Sequence, residues 1–251
     1  MSLNAKKILG EFLGCVFVSF FGLGYIPAMY MGYCASTHVL ACWFGLVYSF
    51  GVLIFSPISG LHATTGVTLS FSMYHGFDKK LIPAYLLVQV LGWGVGILLS
   101  YAMFNTALIE QCESLGVNPA TIFYCHPHNV PTACTVEFFT AMLLMIGIYA
   151  VTDARLPSFP GVNMIPISVG VVIAVCVSLG VGISGGALNF ARDFGARLAC
   201  LVFGLVMGYP TDTIFAGGSW LIYLVCPTLG AVCGGVLYQK VFIPLLPTAK
   251  K

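Results

Sequence analysis

Six long apolar runs constrain the fold of this chain more than any other feature. Each is close to the length of about 20 residues that a helix needs to cross a bilayer. Charged residues make up 7% of the 251 residues, too few to cover a water-soluble domain of this size. The sequence therefore predicts an all-α membrane protein, with spans at Ile8–Met31, His38–Ile58, Leu81–Phe104, Cys134–Val151, Ile165–Gly182 and Ser219–Val241.

Two shorter apolar stretches interrupt this pattern. Val67–Tyr74 lies between spans two and three, and Ala191–Met207 lies between spans five and six. The first is too short to cross, and the second carries Arg192, Asp193 and Arg197, which argue against a lipid-facing span. Irregular backbone at membrane depth survives where it is buried in protein or lines a wet cavity. Both stretches therefore predict re-entrant half-helices.

The chain also repeats itself. In the first half, Glu11 precedes His62 by 51 residues; in the second half, Glu137 precedes Asn189 by 52 residues. In each half, the glutamate lies in the first span and the second residue lies near the start of the half-helix. Three spans in each half make the halves inverted relative to each other, so the half-helices enter from opposite faces. We predict a single transmembrane domain with an inverted repeat: domain 1–251, first repeat about 8–106, second repeat about 133–241.

The distribution of basic residues predicts the orientation. The loops opposite the termini hold Glu110, Glu113 and Asp212 and no lysine. By the positive-inside rule both termini lie in the cytoplasm, for a multi-pass protein of the plasma (or inner) membrane. The basic residues on the side of the termini are Lys6, Lys7, Lys79, Lys80, Arg155, Lys240, Lys250 and Lys251.

The segments that lead into the half-helices predict a path for a small neutral molecule. Extended backbone offers carbonyl acceptors, and the positive N-termini of two half-helices at the membrane centre repel cations. The predicted carbonyl lane comprises Gly60, Leu61, His62, Ala63, Gly185, Ala187 and Leu188.

Several motifs resemble the aquaporin superfamily of major intrinsic proteins, on its glycerol-facilitator (aquaglyceroporin) side. They are SGLHATTGVTLS, GALNFARDFGARL, the glutamates Glu11 and Glu137, and Gln89 in VQVLGW, and the similarity covers nearly the whole chain. Asp193, directly after the arginine, resembles the glycerol-conducting branch. The resemblance implies a homotetramer in which each protomer has its own pore, and it implies no cofactor.

The chain departs from the family where each half-helix begins. The family has Asn-Pro-Ala at both starts, whereas the first triplet here is Thr64-Thr65-Gly66 and the second triplet is Asn189-Phe190-Ala191. Thr64 still caps a helix, although it is shorter than asparagine. We expect a wider midpoint beside Gly66 and added bulk at Phe190; a closed or leaky channel is the alternative. Asn118-Pro119-Ala120 lies in a turn-rich loop and is assigned no pore role.

The resemblance also implies a selectivity filter of Phe44, Val177, Gly186 and Arg192. Gly186 stands where glycerol channels usually have an aromatic residue, and Val177 where a smaller residue is common. A lone arginine at this depth is costly and therefore indicates function.

Four further residues receive weaker assignments. Glu11 and Glu137 are expected to hold the loops by accepting backbone N–H bonds, with Asp193 as a third loop support. His62 lines the cytoplasmic vestibule or is merely packed. The remaining histidines receive no role: His38, His75, His126 and His128.

We therefore predict a passive channel for glycerol and other small uncharged solutes, with some water permeability and no nucleic-acid partner. A poorly conducting protein kept for adhesion or scaffolding is one alternative, and a channel for urea, ammonia or a metalloid hydroxide is another. The lack of a spare intramembrane carboxylate disfavours a coupled transporter, and the lack of a nucleophile–base pair disfavours an enzyme. The spread of the ten cysteines predicts buried thiols and no metal site, although Cys112 and Cys125 could pair.

Overall fold

The computed structural model describes residues 1–32 and 36–246, so the predicted orientation signals Lys250 and Lys251 lie outside the described residues. Within that range the chain is helical and forms no strand. Six helices are long and apolar enough to cross a membrane, and two shorter helices lie between them, so the predicted fold class is confirmed. Spans one to six are Leu3–Tyr30, Thr37–Ser59, Lys79–Ser114, Val130–Thr152, Val162–Ser184 and Ala216–Leu245.

Local sequence sets the ends of these helices. The Ser36 side chain accepts the His38 N–H at the start of span two, and the Asn129 side chain accepts the Thr132 N–H at the start of span four. Spans two and five end at glycines in the left-handed region, Gly60 with φ 91° and Gly185 with φ 85°, a conformation that glycine adopts at low cost.

The two half-helices are Thr65–Tyr74 and Phe190–Met207, close to their predicted bounds. Span three differs more from prediction, because its helix continues past Phe104 to Ser114 after a backbone break at Asn105. Hydropathy falls in this extension, but Leu108 and Cys112 are fully buried one turn apart. The extension therefore packs as an amphipathic helix on the protein, which a hydropathy count does not detect.

The helices pack in equivalent pairs in the two halves. Span one packs on span three, span four packs on span six, and spans two and five join the halves. Each half-helix packs chiefly against the third span of the other half. Small residues allow the close approaches: a Cβ on Gly92 of span three would lie 2.6 Å from the Cβ of Cys15 in span one.

Candidate functional site

A buried carboxylate holds the loop that leads into the first half-helix. Glu11 Oε2 accepts the His62 N–H at 3.2 Å, and Glu11 Oε1 accepts the Ala63 N–H at 2.6 Å. Gln89 Nε2 also donates to Oε1, at 2.8 Å. Because Glu11 is fully buried, these donors replace the water that the carboxylate would otherwise need.

The loop before the second half-helix is held in the same way. Glu137 accepts the Ala187 N–H at 3.0 Å on Oε1 and the Leu188 N–H at 2.7 Å on Oε2. Ser184 Oγ donates to Oε1 at 2.6 Å. Glu11 and Glu137 therefore make the loop contacts that the sequence predicts for them.

Two tyrosines repeat the correspondence between the loops. Tyr85 of span three donates its hydroxyl to the Ser59 carbonyl, and Tyr223 of span six donates to the Ser184 carbonyl, both at 2.7 Å. The third span of each half thus ties down the point where the loop begins.

Three residues of these loops adopt positive φ although they are not glycine: Leu61 (39°), Ala63 (52°) and Leu188 (55°). Such a conformation costs on the order of 1–3 kcal/mol and persists only where its surroundings hold it. Glu11 and Glu137 supply that support to Ala63 and Leu188 through hydrogen bonds to their N–H groups.

Two cavities enter from opposite ends of the molecule. The inner cavity, of about 580 Å³, extends from Lys7 near the N-terminus to Asn189 and Arg192 at the centre. The outer cavity, of about 560 Å³, lies beneath the loop that follows span three, and Arg192 lines it too. Among the residues that the structure describes, Arg192 is shared by both linings. The two cavities therefore meet at this arginine.

The two half-helix starts differ in how their side chains are used. Thr64 Oγ1 caps its own helix by accepting the Val67 N–H at 3.2 Å. Asn189 Oδ1 caps its own helix through the Ala191 N–H at 3.0 Å, and it also accepts the Thr65 N–H at 3.4 Å. Its Nδ2 donates to the Ala63 carbonyl at 2.8 Å. Of the two capping residues, Asn189 is therefore the one that bonds to both half-helix starts.

The other triplet residues do not have the orientation that the sequence suggested. A Cβ on Gly66 would lie 2.5 Å from the Cβ of Ala231 in span six, so Gly66 faces a helix contact. Phe190 stacks on Phe194 with ring centroids 5.0 Å apart. The methyl group missing at Gly66 and the bulk added at Phe190 therefore both lie outside the two cavities, so neither sets the width of these cavities. Thr65 and Ala191 also line neither cavity.

The structure brings two of the four predicted filter residues to a cavity wall. Phe44 and Arg192 both line the inner cavity. Val177 and Gly186 line neither cavity, and a Cβ on Gly186 would lie 3.4 Å from the Val177 carbonyl oxygen. A side chain at position 186 would therefore face the backbone of span five.

Arg192 is held from the loop that follows span three. Its Nη1 donates to the Phe123 carbonyl at 2.8 Å and to Cys125 Sγ at 3.1 Å, and the side chain is largely buried. These contacts fix the guanidinium in the wall that the two cavities share.

An adjacent buried ion pair fixes the same loop. Arg197 Nε lies 2.7 Å from Asp193 Oδ2, with both side chains inaccessible to solvent. Asp193 Oδ1 accepts the Cys125 N–H at 2.8 Å, and Arg197 donates to the carbonyls of Cys125 and Ile214. Asp193 therefore contacts a loop, as predicted, and this loop lies on the outer side.

The predicted carbonyl lane needs one correction. Ala63 O accepts from Asn189 Nδ2 and, at 3.0 Å, from Trp93 Nε1, so both of its lone pairs are occupied and it lines neither cavity. Gly185 lines the outer cavity. The remaining members line the inner cavity: Gly60, Leu61, His62, Ala187 and Leu188.

Sequence reasoning missed Trp93 and Tyr48, which both line the inner cavity. Trp93 is fully buried, with its ring 6.2 Å from that of Phe44. A tryptophan among the glycines of LGWGVG was the available signal. Its indole nitrogen fixes the Ala63 carbonyl, and its ring contributes to the wall near the centre.

The histidines are distributed over both cavities. His62 lines the inner cavity and is also packed, with Nδ1 3.1 Å from Thr68 Oγ1 and its ring against Phe77. His62 is therefore a packed histidine that also forms part of a cavity wall. His75 lines the inner cavity and His126 and His128 line the outer cavity, although the sequence gave them no role.

Two remaining expectations concern the outer loop. Cys112 and Cys125 are both free thiols, so the disulfide considered from the sequence is not formed. Burial raises the pKa of the Cys125 thiol, which keeps it protonated. Asn118 caps a short turn and donates to the Pro210 carbonyl at 2.8 Å, away from both cavities.

Comparison with known proteins gives consistent matches. The family model described as major intrinsic protein matches residues 1–238. The glycerol uptake facilitator protein of Haemophilus influenzae is 30% identical over an alignment 261 positions long, which covers 98% of this chain and 97% of that protein. The propanediol uptake facilitator PduF of Salmonella typhimurium is 29% identical, covering 91% of this chain and 90% of that protein. The X-ray structure of the aquaglyceroporin from Plasmodium falciparum superposes with a TM-score of 0.83 at 27% identity, covering 96% and 98% of the two chains.

Proposed function

The chain belongs to the major intrinsic protein family, and on that premise we propose that it is a passive membrane channel for glycerol and other small uncharged solutes, with some water permeability. The observation that carries this proposal is the meeting of two cavities at Arg192, beside the N-termini of two half-helices. Relatives named for glycerol and for propanediol uptake support the same class of solute.

The chemistry of the inner cavity suits a polyol. Carbonyl groups of the loops offer acceptors on one side, while Val52, Val169 and Ile173 provide an apolar wall. A molecule with hydroxyls along a carbon chain satisfies both surfaces at once. Near the centre, Arg192 and Asn189 add donors for the solute oxygens.

Passive transport follows from how the buried carboxylates are used. Glu11 and Glu137 are each occupied by backbone N–H groups of a loop, so neither is free to carry a proton or a cation across. Two positive helix ends and Arg192 further oppose cations at the centre. We assign no enzymatic activity to the chain.

We also propose the arrangement in the membrane. Both termini lie in the cytoplasm of a plasma (or inner) membrane, since the basic loops lie on their side. The two repeats are inverted, and four copies form a homotetramer in which each has its own pore. The equivalent contacts of Glu11 and Glu137 support the inverted repeats, and family membership supports the homotetramer.

Stopped-flow light scattering on proteoliposomes tests this function. Glycerol flux should rise linearly with the gradient and remain the same when a pH or sodium gradient is imposed. Urea, water and a series of polyols establish the solute ranking. Accumulation of glycerol against its gradient, driven by an ion, would refute passive transport, and flux no greater than in empty liposomes would favour a scaffold role.

A further inference from the structure

The thiol of Cys125 contacts Arg192, the residue that lines both cavities. Its Sγ accepts a hydrogen bond from Arg192 Nη1 at 3.1 Å and contacts the Gly185 carbonyl at 3.6 Å. Cys125 also lines the outer cavity together with Arg192. The sulfur therefore connects the arginine to the loop that precedes the second half-helix.

The position of Cys125 relative to Arg192 is fixed by one helix. Asp193 accepts the Cys125 N–H at 2.8 Å, and Arg197 donates to the Cys125 carbonyl at 3.0 Å. Asp193 and Arg197 belong to the half-helix that also carries Arg192, and they are paired and buried. The second half-helix therefore fixes the positions of both the Arg192 guanidinium and the Cys125 thiol.

The neighbouring loop has no side chain at this point. Gly185 and Gly186 carry none, and a Cβ on Gly185 would lie 2.9 Å from Cys125 Sγ. A Cβ on Gly186 would instead point to the backbone of Val181 in span five, 3.2 Å away. Cys125 thus contributes a side chain to the wall of the outer cavity beside Gly185, which has none.

We propose that Cys125 is a specificity-determining residue of the channel: its thiol, which lies against Gly185 where the loop carries no side chain, limits the aperture at Arg192. This inference rests on the proposed channel function. Sulfur is large, polarisable and a weak acceptor, so it offers a nearly apolar surface to the carbon side of a polyol. The thiol also accepts a hydrogen bond from Arg192 Nη1 and thereby helps to fix the orientation of the guanidinium.

Variants that change the size of residue 125 in opposite directions test the proposal. The readout is the erythritol-to-glycerol flux ratio in proteoliposomes, normalised to the amount of protein. Cys125→Ala should raise this ratio at least about threefold, and Cys125→Leu should lower it by a similar factor, since pore diameter sets the barrier. Cys125→Ser keeps the approximate size and an acceptor and should stay near the wild-type ratio. Cys176→Ala is the matched control, because Cys176 is buried in span five and lines neither cavity.

The outcomes separate this inference from the proposed function. Opposite shifts in Cys125→Ala and Cys125→Leu, with no shift in Cys176→Ala, support it. A wild-type protein that carries no glycerol would refute the channel itself. A conducting wild type with the same ratio in both Cys125 variants would overturn the inference alone. Proportional loss of glycerol, erythritol and water in both variants would assign Cys125 to structure only and would overturn it too.

Discussion

The two loops that enter the half-helices share one scaffold and differ at their tips. Glu11 and Glu137 each accept two loop N–H groups, and a tyrosine of the third span anchors each loop start. At the tips, Thr64 bonds only within its own half-helix, while Asn189 bonds to both. This difference indicates that one asparagine is enough to connect both half-helix starts, because the glutamates and tyrosines already position the loops.

The tips also differ in charge. Val67 stands three residues after Thr64, and Arg192 stands three residues after Asn189. Arg192 alone of these two brings a fixed charge to the meeting point of the cavities. Selectivity is therefore expected to depend on the second loop, and the first loop to serve mainly as its support.

The largest expected effect comes from the shared scaffold. Glu11→Gln and Glu137→Gln should each destabilise the protein by about 3 kcal/mol, because an amide NH₂ cannot accept a loop N–H and a buried donor is left unpaired. Thermal unfolding in detergent and glycerol flux measure the effect, with Glu110→Gln on the exposed extension of span three as control. A large loss in one variant and none in the other would contradict the equivalence of the loops.

Arg192→Val should have the next largest effect. Removing the charge and its donors should admit cations and reduce discrimination among hydroxylated solutes by about tenfold. Ion-leak and polyol assays on the same proteoliposomes measure both. Val67→Ala, at the equivalent position of the first half-helix, should leave cation exclusion intact. An unchanged solute ranking in Arg192→Val would exclude Arg192 from the filter.

Gly66→Ala tests whether the first triplet faces a helix or the pore. A methyl group there would lie 2.5 Å from the Cβ of Ala231, so we expect a loss of about 1–3 kcal/mol from overpacking. The double variant with Ala231→Gly should restore the melting temperature. If Gly66→Ala leaves stability unchanged and reduces the flux of larger polyols, the glycine faces the pore after all.

The smallest effect is expected for Phe190→Pro. Proline is favoured at the first helical position, and the loss is the ring contact with Phe194, worth about 0.5–1.5 kcal/mol. Glycerol flux should stay within about twofold of wild type, because Phe190 lines neither cavity. A change in the solute ranking would place the phenylalanine in the pore.

Most of the fold can be predicted from the sequence, because the signals for a membrane span, apolar length and charge, lie within the segment itself. The six spans follow from apolar length, and Arg192, Asp193 and Arg197 distinguish the second half-helix from a span. Span three extends further than predicted because packing of Leu108 stabilises a helix after hydropathy has fallen.

The site was less predictable, because distant residues decide which way its side chains face. Gly66 packs against Ala231, which lies 165 residues away in the sequence. Cys125 is held in place by Asp193, which lies 68 residues away. Neither contact leaves a local pattern in the sequence. Family resemblance therefore pointed to Phe44 and Arg192, which line the inner cavity, and to Val177 and Gly186, which line neither cavity.

Reciprocal substitution of the two tips, followed by stopped-flow glycerol flux and proton leak, tests the central claim most directly. Threonine at position 189 can cap its helix but cannot reach both Ala63 O and the Thr65 N–H, so Asn189→Thr should lose at least about tenfold in glycerol flux. Thr64→Asn should keep glycerol flux within about twofold, with low proton leak and a larger reduction for bulkier polyols. Equal losses in the two variants, or a greater loss in Thr64→Asn, would contradict the account that Asn189, of the two capping residues, connects the half-helix starts.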